Sequence, residues 1–185
     1  MNKVLKEIIS WIMVFVLAFG LAKFVNKIII YKAEIPSGSM ETTIMIGDKV
    51  LAYRLAYKFS DPKRGDIVIF PFPDDESQDY IKRIIGLPGE KIEGKNGVVY
   101  INDVPLNEPY INGSDVGEMN TFGPYTVPEG CYFMMGDNRT ISEDARYWED
   151  KYVKKNKIIG KALFKYPNMK SLTKKYNYDL ESDSK

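Results

Sequence analysis

Asp79-Tyr80-Ile81-Lys82-Arg83-Ile84-Ile85-Gly86-Leu87-Pro88-Gly89 is the stretch on which the reading of this chain turns. An aromatic and β-branched run closed by a Gly-Leu-Pro-Gly turn reads as a strand over 80–85. In a strand successive side chains point to opposite faces, so Tyr80, Lys82 and Ile84 share one face and Ile81, Arg83 and Ile85 the other. Lys82 thus stands between apolar or aromatic neighbours. Burial there disfavours the ammonium form; a base working near neutrality needs a pKa of roughly 7–8, on the order of 3.5–5 kcal/mol below an ordinary lysine. Taken alone, the stretch reads as an ordinary strand whose lysine reaches water.

The pattern repeats on either side. Gly47-Asp48 opens into Lys49-Val50-Leu51-Ala52-Tyr53, and Gly65-Asp66 opens into Ile67-Val68-Ile69-Phe70. Pro71 and Pro73 are predicted to stop that second strand, and Asp74 to Asp79 reads as a solvated acidic loop. Further on, Lys91-Ile92-Glu93, Val98-Val99-Tyr100-Ile101 and a stretch near Tyr110-Ile111 are separated by turn residues, which predicts consecutive hairpins. Tyr125-Thr126-Val127, Tyr132-Phe133-Met134-Met135 and Ile158 to Tyr166 supply further strands. Many short strands at close spacing predict an antiparallel barrel or sandwich. The segment from Gly89 to Asn96 nearly spells a phosphate-binding loop, but Asn96 stands at the Ser/Thr position and a strand follows where a helix is required. Asn112-Gly113-Ser114 and Asn138-Arg139-Thr140 match a glycosylation sequon, a pattern too common to carry weight.

Composition narrows the chemistry. Over 185 residues, 26 Lys+Arg nearly cancel 25 Asp+Glu, which argues against a broad basic face for nucleic acid. The single cysteine, Cys131, has no internal disulfide partner and reads as a small core residue. The chain has no histidine at all. That removes Ser-His-Asp triads, Cys-His pairs and His-based zinc motifs, so a nucleophilic serine would need lysine, a carboxylate or the chain's own amine as its base.

One segment is made for a membrane. From Ile8 to Ala22 there is no charge, and the apolar run resumes after Lys23 through Ile28-Ile29-Ile30. About 20 helical residues at 1.5 Å each cross a bilayer core. Gly20-Leu21-Ala22 has the small-residue spacing of a signal-peptide cleavage site, but the resumed run favours an uncleaved anchor. Lys3 and Lys6 flank one end and Lys23, Lys27 and Lys32 the other, so charge alone leaves the orientation open. The predicted organisation is a short tail over 1–7, an anchor over 8–30, a β domain over 31–170 and a polar, loosely ordered tail over 171–185.

Immediately after the anchor comes Ile35-Pro36-Ser37-Gly38-Ser39-Met40, where glycine permits a tight bend that leaves a serine hydroxyl exposed. A third segment, Gly136-Asp137-Asn138-Arg139-Thr140-Ile141-Ser142-Glu143-Asp144-Ala145-Arg146, reads either as a surface loop or as a buried polar scaffold.

Together the anchor, Ile35 to Met40, Gly47-Asp48-Lys49-Val50, Asp79 to Glu90 and Gly136-Asp137-Asn138-Arg139 resemble, in order, the type I signal peptidases of bacteria, membrane-bound Ser/Lys proteases that remove signal peptides from exported proteins. The resemblance runs to about Trp148, and the short chain is similar to the compact, single-anchor form. It implies a mainly β fold, with a transmembrane helix followed by an all-β catalytic domain of antiparallel sheets on the extracellular side of the cell membrane. It also implies Ser39 as nucleophile, Lys82 as general base, the Ser39 N–H and Ser37 hydroxyl as oxyanion donors, and Ser142 as the group that orients the lysine. Arg83 with Asp137, and Asp144 with Arg146, would be structural support. Ile35, Pro36, Met40, Tyr80 and Ile81 would bind an extended signal peptide of an exported preprotein by strand addition, with small residues of the Ala-x-Ala type before the cut. No metal, cofactor or nucleic acid is implied; membrane lipid is a partner, and the oligomeric state stays open.

Two departures stand against the pattern. Thr42 occupies the place of the family's proline after the serine, which predicts a looser strand beyond the nucleophile, and Thr140, Ile141 and Ala145 replace Asp, Asn and Ser. Two rivals therefore remain: a self-cleaving Ser/Lys regulator, for which no DNA-binding segment is present, and a catalytically impaired membrane-anchored β domain that binds exported chains.

Overall fold

A computed structural model of the chain describes residues 3–111, 121–174, 176 and 178. The sequon at Asn112 and most of the predicted polar tail beyond 174 lie outside the described residues.

Helix α1 spans Lys3–Phe24 and passes through one π-helical turn, Val25–Ile29, directly into strand β1, Ile30–Glu34. The helical run Lys3–Ile29 contains an 18-residue stretch of mean hydropathy 2.3, long and apolar enough to cross a membrane, and none of that stretch is buried within the protein. The helix thus carries straight past Lys23, whose ammonium sits over the Phe19 ring. It begins within the stretch predicted as a tail, because Lys3 and Lys6 are good helix formers that extend it toward the N-terminus.

The remainder is antiparallel β structure. β2 is Lys49–Tyr53, β3 Ile67–Phe72, β4 Asp75–Gly86, β5 Lys91–Lys95, β6 Val98–Ile101, β7 Val104–Pro105, β8 Phe122–Thr126, β9 Cys131–Met135, β10 Val153–Lys154, β11 Gly160–Tyr166 and β12 Lys170–Ser171. One sheet runs β1-β2-β11-β3-β4-β9-β10, with β12 paired to β11; a smaller one runs β7-β6-β5-β8. Strand β4 lies inside the larger sheet, between β3 (Val68 opposite Lys82) and β9 (Arg83 opposite Met135). Its neighbours fill the ladder on both sides, which makes it a constrained place to hold a side chain.

Faces follow the alternation. Ile67, Ile69 and Ile81 enter one core with Ile35, Met40 and Ile44, whereas Val68, Phe70 and Ile84 enter the other with Phe133 and Met134. Ile85 departs from the predicted face and joins Ile84, because the β4–β9 register slips between Ile84 and Gly86. A bulge puts one extra residue in a strand and reverses the parity beyond it. Cys131 is free and buried in the same core.

Three other expectations change. Asp74 to Asp79 is not a loop: β4 begins at Asp75, and its acidic half is an exposed strand paired with the end of β3. Pro71 does not stop β3, which runs on to Phe72; the ladder instead shifts register between Pro71 and Phe72, where a residue without an N–H is tolerated. The Tyr110-Ile111 stretch is not a strand but the end of a turn, and the strand that follows β6 and pairs with its free side is Val104–Pro105. Tyr110 is buried in the core, with Tyr176 edge-on to it at 5.1 Å, so the described part of the C-terminal segment packs onto the domain. Leu172 is buried there as well.

Candidate active site

The loop between β1 and β2 is closed at its base by the Ile35 N–H to the Asp48 carbonyl (2.9 Å) and the Gly47 N–H to the Ile35 carbonyl (2.8 Å). Within it, the Glu41 N–H bonds the Gly38 carbonyl at 3.1 Å and the Ile44 N–H bonds the Met40 carbonyl at 2.8 Å. The chain beyond Ser39 is therefore a hydrogen-bonded turn rather than the loose strand predicted from Thr42. Fully buried Met40 and Ile44 pin that turn to the core. The Ser39 carbonyl in turn accepts the Asn138 N–H at 3.0 Å, which ties the loop to the segment after β9.

This places Ser39 against β4. Lys82 Nζ donates to Ser39 Oγ at 2.7 Å, with Ser39 7% and Lys82 4% exposed. Ser37 Oγ donates to the same oxygen at 3.5 Å. Burial lowers the Lys82 pKa to about 8; nearby Asp144 opposes the shift and Arg146 adds to it. The amine also stands 5.3 Å from the centre of the Tyr80 ring, its neighbour on the same strand face. An amine in hydrogen-bond contact with a hydroxyl, and neutral in a fraction of molecules near pH 7, is chemically able to take that hydroxyl's proton.

Behind the pair lies a dense polar scaffold. Arg83 grips Asp137 with two bonds, Nε to Oδ1 at 2.8 Å and Nη2 to Oδ2 at 2.5 Å, while its Nη1 bonds the Gly65 carbonyl. Thr43 Oγ1 donates to the same Asp137 at 2.6 Å, which couples the serine loop to the ion pair. Arg146 and Asp144 form a second two-pronged pair (2.8 and 2.9 Å), and Asp144 accepts the Gly136 N–H at 3.0 Å. Of the segment's two predicted readings, the buried scaffold is the one formed: Asp137, Arg139, Ser142, Asp144 and Arg146 are all buried. Its backbone approaches the serine so closely that a Cβ on Gly136 would lie 2.5 Å from the Ser39 carbonyl oxygen and 2.2 Å from Ser142 Oγ.

Some site residues predicted from the sequence lie elsewhere. Ser142 is buried, yet its Oγ has no hydrogen-bond partner, so the expected bond to Lys82 is not made. A cleft of about 400 Å³ lies over the Ser39–Lys82 pair, lined by Pro36, Ser37 and Gly38, by Tyr80 and Ile81, and by Ile141 and Glu143. Ile35 and Met40 do not line it. Both side chains are buried in the core with Ile44 and Ile81.

Other contributors leave no signal in the sequence. Glu108 pairs with fully buried Arg139 across 31 positions, with Nη1 to Oε2 at 2.9 Å. No local pattern announces such a long-range partner, nor the bond from Thr43. Glu143 and Gly136 are legible only as members of the segment that carries them. Among the described residues no group of three or more His, Cys, Asp or Glu side chains is arranged to hold a metal ion.

Residues 8–167 match the family model described as signal peptidase, peptidase S26. A probable signal peptidase I-2 from Synechocystis sp. is 37% identical over 156 residues, covering 82% of this chain and 67% of that protein. A signal peptidase IB from Staphylococcus aureus is 30% identical over 192 residues, covering 96% and 97%. Among solved structures, a signal peptidase I from Enterococcus faecalis V583 is 38% identical, with a TM-score of 0.47 over 55% of this chain and 97% of that one. With a family model spanning most of its length and a named relative aligned almost end to end, the chain belongs to the signal peptidase family, peptidase S26.

Proposed function

We propose that this type I signal peptidase cuts exported preproteins by direct attack of Ser39, with Lys82 as its only general base. The family's activity is removal of signal peptides by a serine protease. The carrying observation is the 2.7 Å contact between two buried side chains, one of them a lysine whose pKa burial lowers to about 8.

In the neutral form of Lys82 the Ser39 hydroxyl donates to the amine. As Oγ attacks the carbonyl carbon of the scissile bond, its proton passes to Nζ, and the carbonyl oxygen becomes an oxyanion. The Ser39 N–H and the Ser37 hydroxyl stabilise that charge; one such donor is worth about 2.7–4 kcal/mol in the transition state. The Lys82 ammonium then protonates the departing amine, leaving the signal peptide as an ester on Ser39. Lys82, neutral again, activates a water that releases it. Ser142, whose buried hydroxyl has no partner, is assigned to orient the lysine, and Arg83, Asp137, Asp144 and Arg146 hold the two loops in register.

The preprotein lies extended in the cleft between Pro36 and the Tyr80-Ile81 edge, pairing its backbone with the walls. Small side chains of the Ala-x-Ala type fit before the cut, and bulky ones are excluded. The helix over 8–30 holds the β domain over 31–170 against the outer face of the cell membrane, beside the emerging preprotein.

The test is cleavage of a precursor carrying Ala-x-Ala, in detergent or lipid, by the native protein and by Ser39→Ala and Lys82→Met, each shown to be folded. Loss of cleavage in both supports the pair. Cleavage retained by either variant removes that residue from its role.

A further inference from the structure

Glu143 is exposed on the edge of the cleft, and its charge acts on both Lys82 and Tyr80. Among the described residues no cation pairs with it, whereas its neighbours on either side are buried and Asp144 is held by Arg146. Backbone geometry keeps it there. The Ser142 N–H bonds the Asn138 carbonyl at 3.0 Å and the Ala145 N–H bonds the Met134 carbonyl at 3.1 Å, so the segment on both sides of Glu143 is tied down.

The cleft contains a second carboxylate, Asp79, on the strand wall, which accepts the Tyr31 hydroxyl and pairs with no cation among the described residues. The basic group lining the cleft is Lys82, whose Nζ is turned to Ser39 and buried. An extended peptide laid over Ser39 therefore meets two carboxylates with no exposed cation among the described residues that line the cleft. A substrate lysine or arginine facing Glu143 gains attraction, and an aspartate or glutamate there meets repulsion.

We propose that Glu143 is a specificity-determining residue that makes this peptidase favour preproteins with a cationic side chain, and reject those with an anionic one, at one position beside the scissile bond. This rests on the reading of the cleft as the peptidase site. Because the Glu143 charge also reaches Lys82, its effect on selection is read as a ratio between substrates cut by the same protein and not as an absolute rate.

The experiment uses the full-length protein in detergent micelles at a pH above the Lys82 titration. Peptides carrying Ala-x-Ala are varied one position at a time around the cut as Lys, Gln and Glu, and kcat/KM is measured for the native protein, Glu143→Gln and Glu143→Lys. The expected result is a Lys-over-Glu preference of about fivefold to tenfold at one position in the native protein, the range given by one attraction gained and one repulsion removed near the surface. It should shrink to about twofold or less in Glu143→Gln, invert in Glu143→Lys, and weaken with added salt, each preference being read relative to the Gln peptide cut by the same protein. A preference that is absent, or that persists unchanged in both variants, overturns the assignment of Glu143 and leaves the peptidase reading standing. Failure of native protein to cut any peptide overturns both.

Discussion

Lys82 and Ser39 are 43 residues apart in the chain, yet Nζ and Oγ meet at 2.7 Å with both side chains buried. A lysine in such a place has its pKa lowered to about 8 from 10.5, with burial as the main cause. If the neutral amine is the base, kcat/KM rises with pH through about 8 and levels off above it. A rate profile with no inflection between neutrality and about pH 9 would exclude Lys82 as the titrating base.

The same shift sets a stability trend. The folded pKa is depressed, so between about 8 and 10.5 the unfolded chain binds more protons than the native one, and stability from this group increases as pH rises through that window. Below it, the buried ammonium costs about 3 kcal/mol. Lys82→Met should therefore be more stable than the native protein at neutral pH by about 1–3 kcal/mol, with the gap closing toward pH 10.5 in denaturant titrations. An inactive variant that is also less stable would contradict burial as the cause of the shift.

Ser37 stands beside the Ser39 hydroxyl with its own oxygen 3.5 Å away. If its hydroxyl is the oxyanion donor proposed above, alanine at this position removes that donor while the scaffold stays in place. We expect kcat to fall roughly 100- to 1000-fold with little change in KM. A rise in KM at constant kcat would assign Ser37 to substrate binding instead.

Gly136→Ala places a methyl group 2.5 Å from the Ser39 carbonyl oxygen and 2.2 Å from Ser142 Oγ. The Ser142 hydroxyl can rotate away, but the Ser142 Cβ, 2.6 Å from the new methyl, and the backbone oxygen cannot. The loop must move, at about 1–3 kcal/mol in stability, and the Ser39–Lys82 contact opens with it. Activity should fall far more than the melting temperature. Cleavage at the native rate would show that the two loops are less tightly coupled than their hydrogen bond implies.

Asp137→Ala strands the Arg83 guanidinium in the interior, where it is 1% exposed, and also removes the acceptor for Thr43. Breaking a buried pair from one side costs about 3–5 kcal/mol. The double variant Asp137→Ala with Arg83→Met should recover part of that loss, because the uncompensated charge is gone. If the double variant is no better than the single one, the pair acts chiefly through the bond to Thr43.

How much of this is legible in the sequence differs by element. The strands around Lys82 and the apolar N-terminal run can be read directly, since alternation and a continuous hydrophobic segment are local properties of sequence. The acidic half of β4 reads as a loop because charge suggests solvation; it is solvated, but its backbone continues the ladder beside Pro71 and Phe72. Alternation alone puts Ile85 on the wrong face, because a bulge leaves no mark in residue type. Met40 and Ile35, close to Ser39 in the chain, are buried in the core instead of lining the cleft, since a tight turn sends adjacent side chains in different directions.

By itself the sequence determined which chemistry was possible: with no histidine anywhere, a serine after the apolar run and a lysine on an apolar strand face, an amine-assisted serine was the economical reading. Only the tertiary structure decided that these two side chains meet, that Glu108 and Thr43 support the site, and that Glu143 stands on the cleft edge with no ion-pair partner among the described residues. The reason is physical. Alternation and hydropathy act between neighbours along the chain, whereas a hydrogen bond or an ion pair depends on distances that exist only once the sheets have packed.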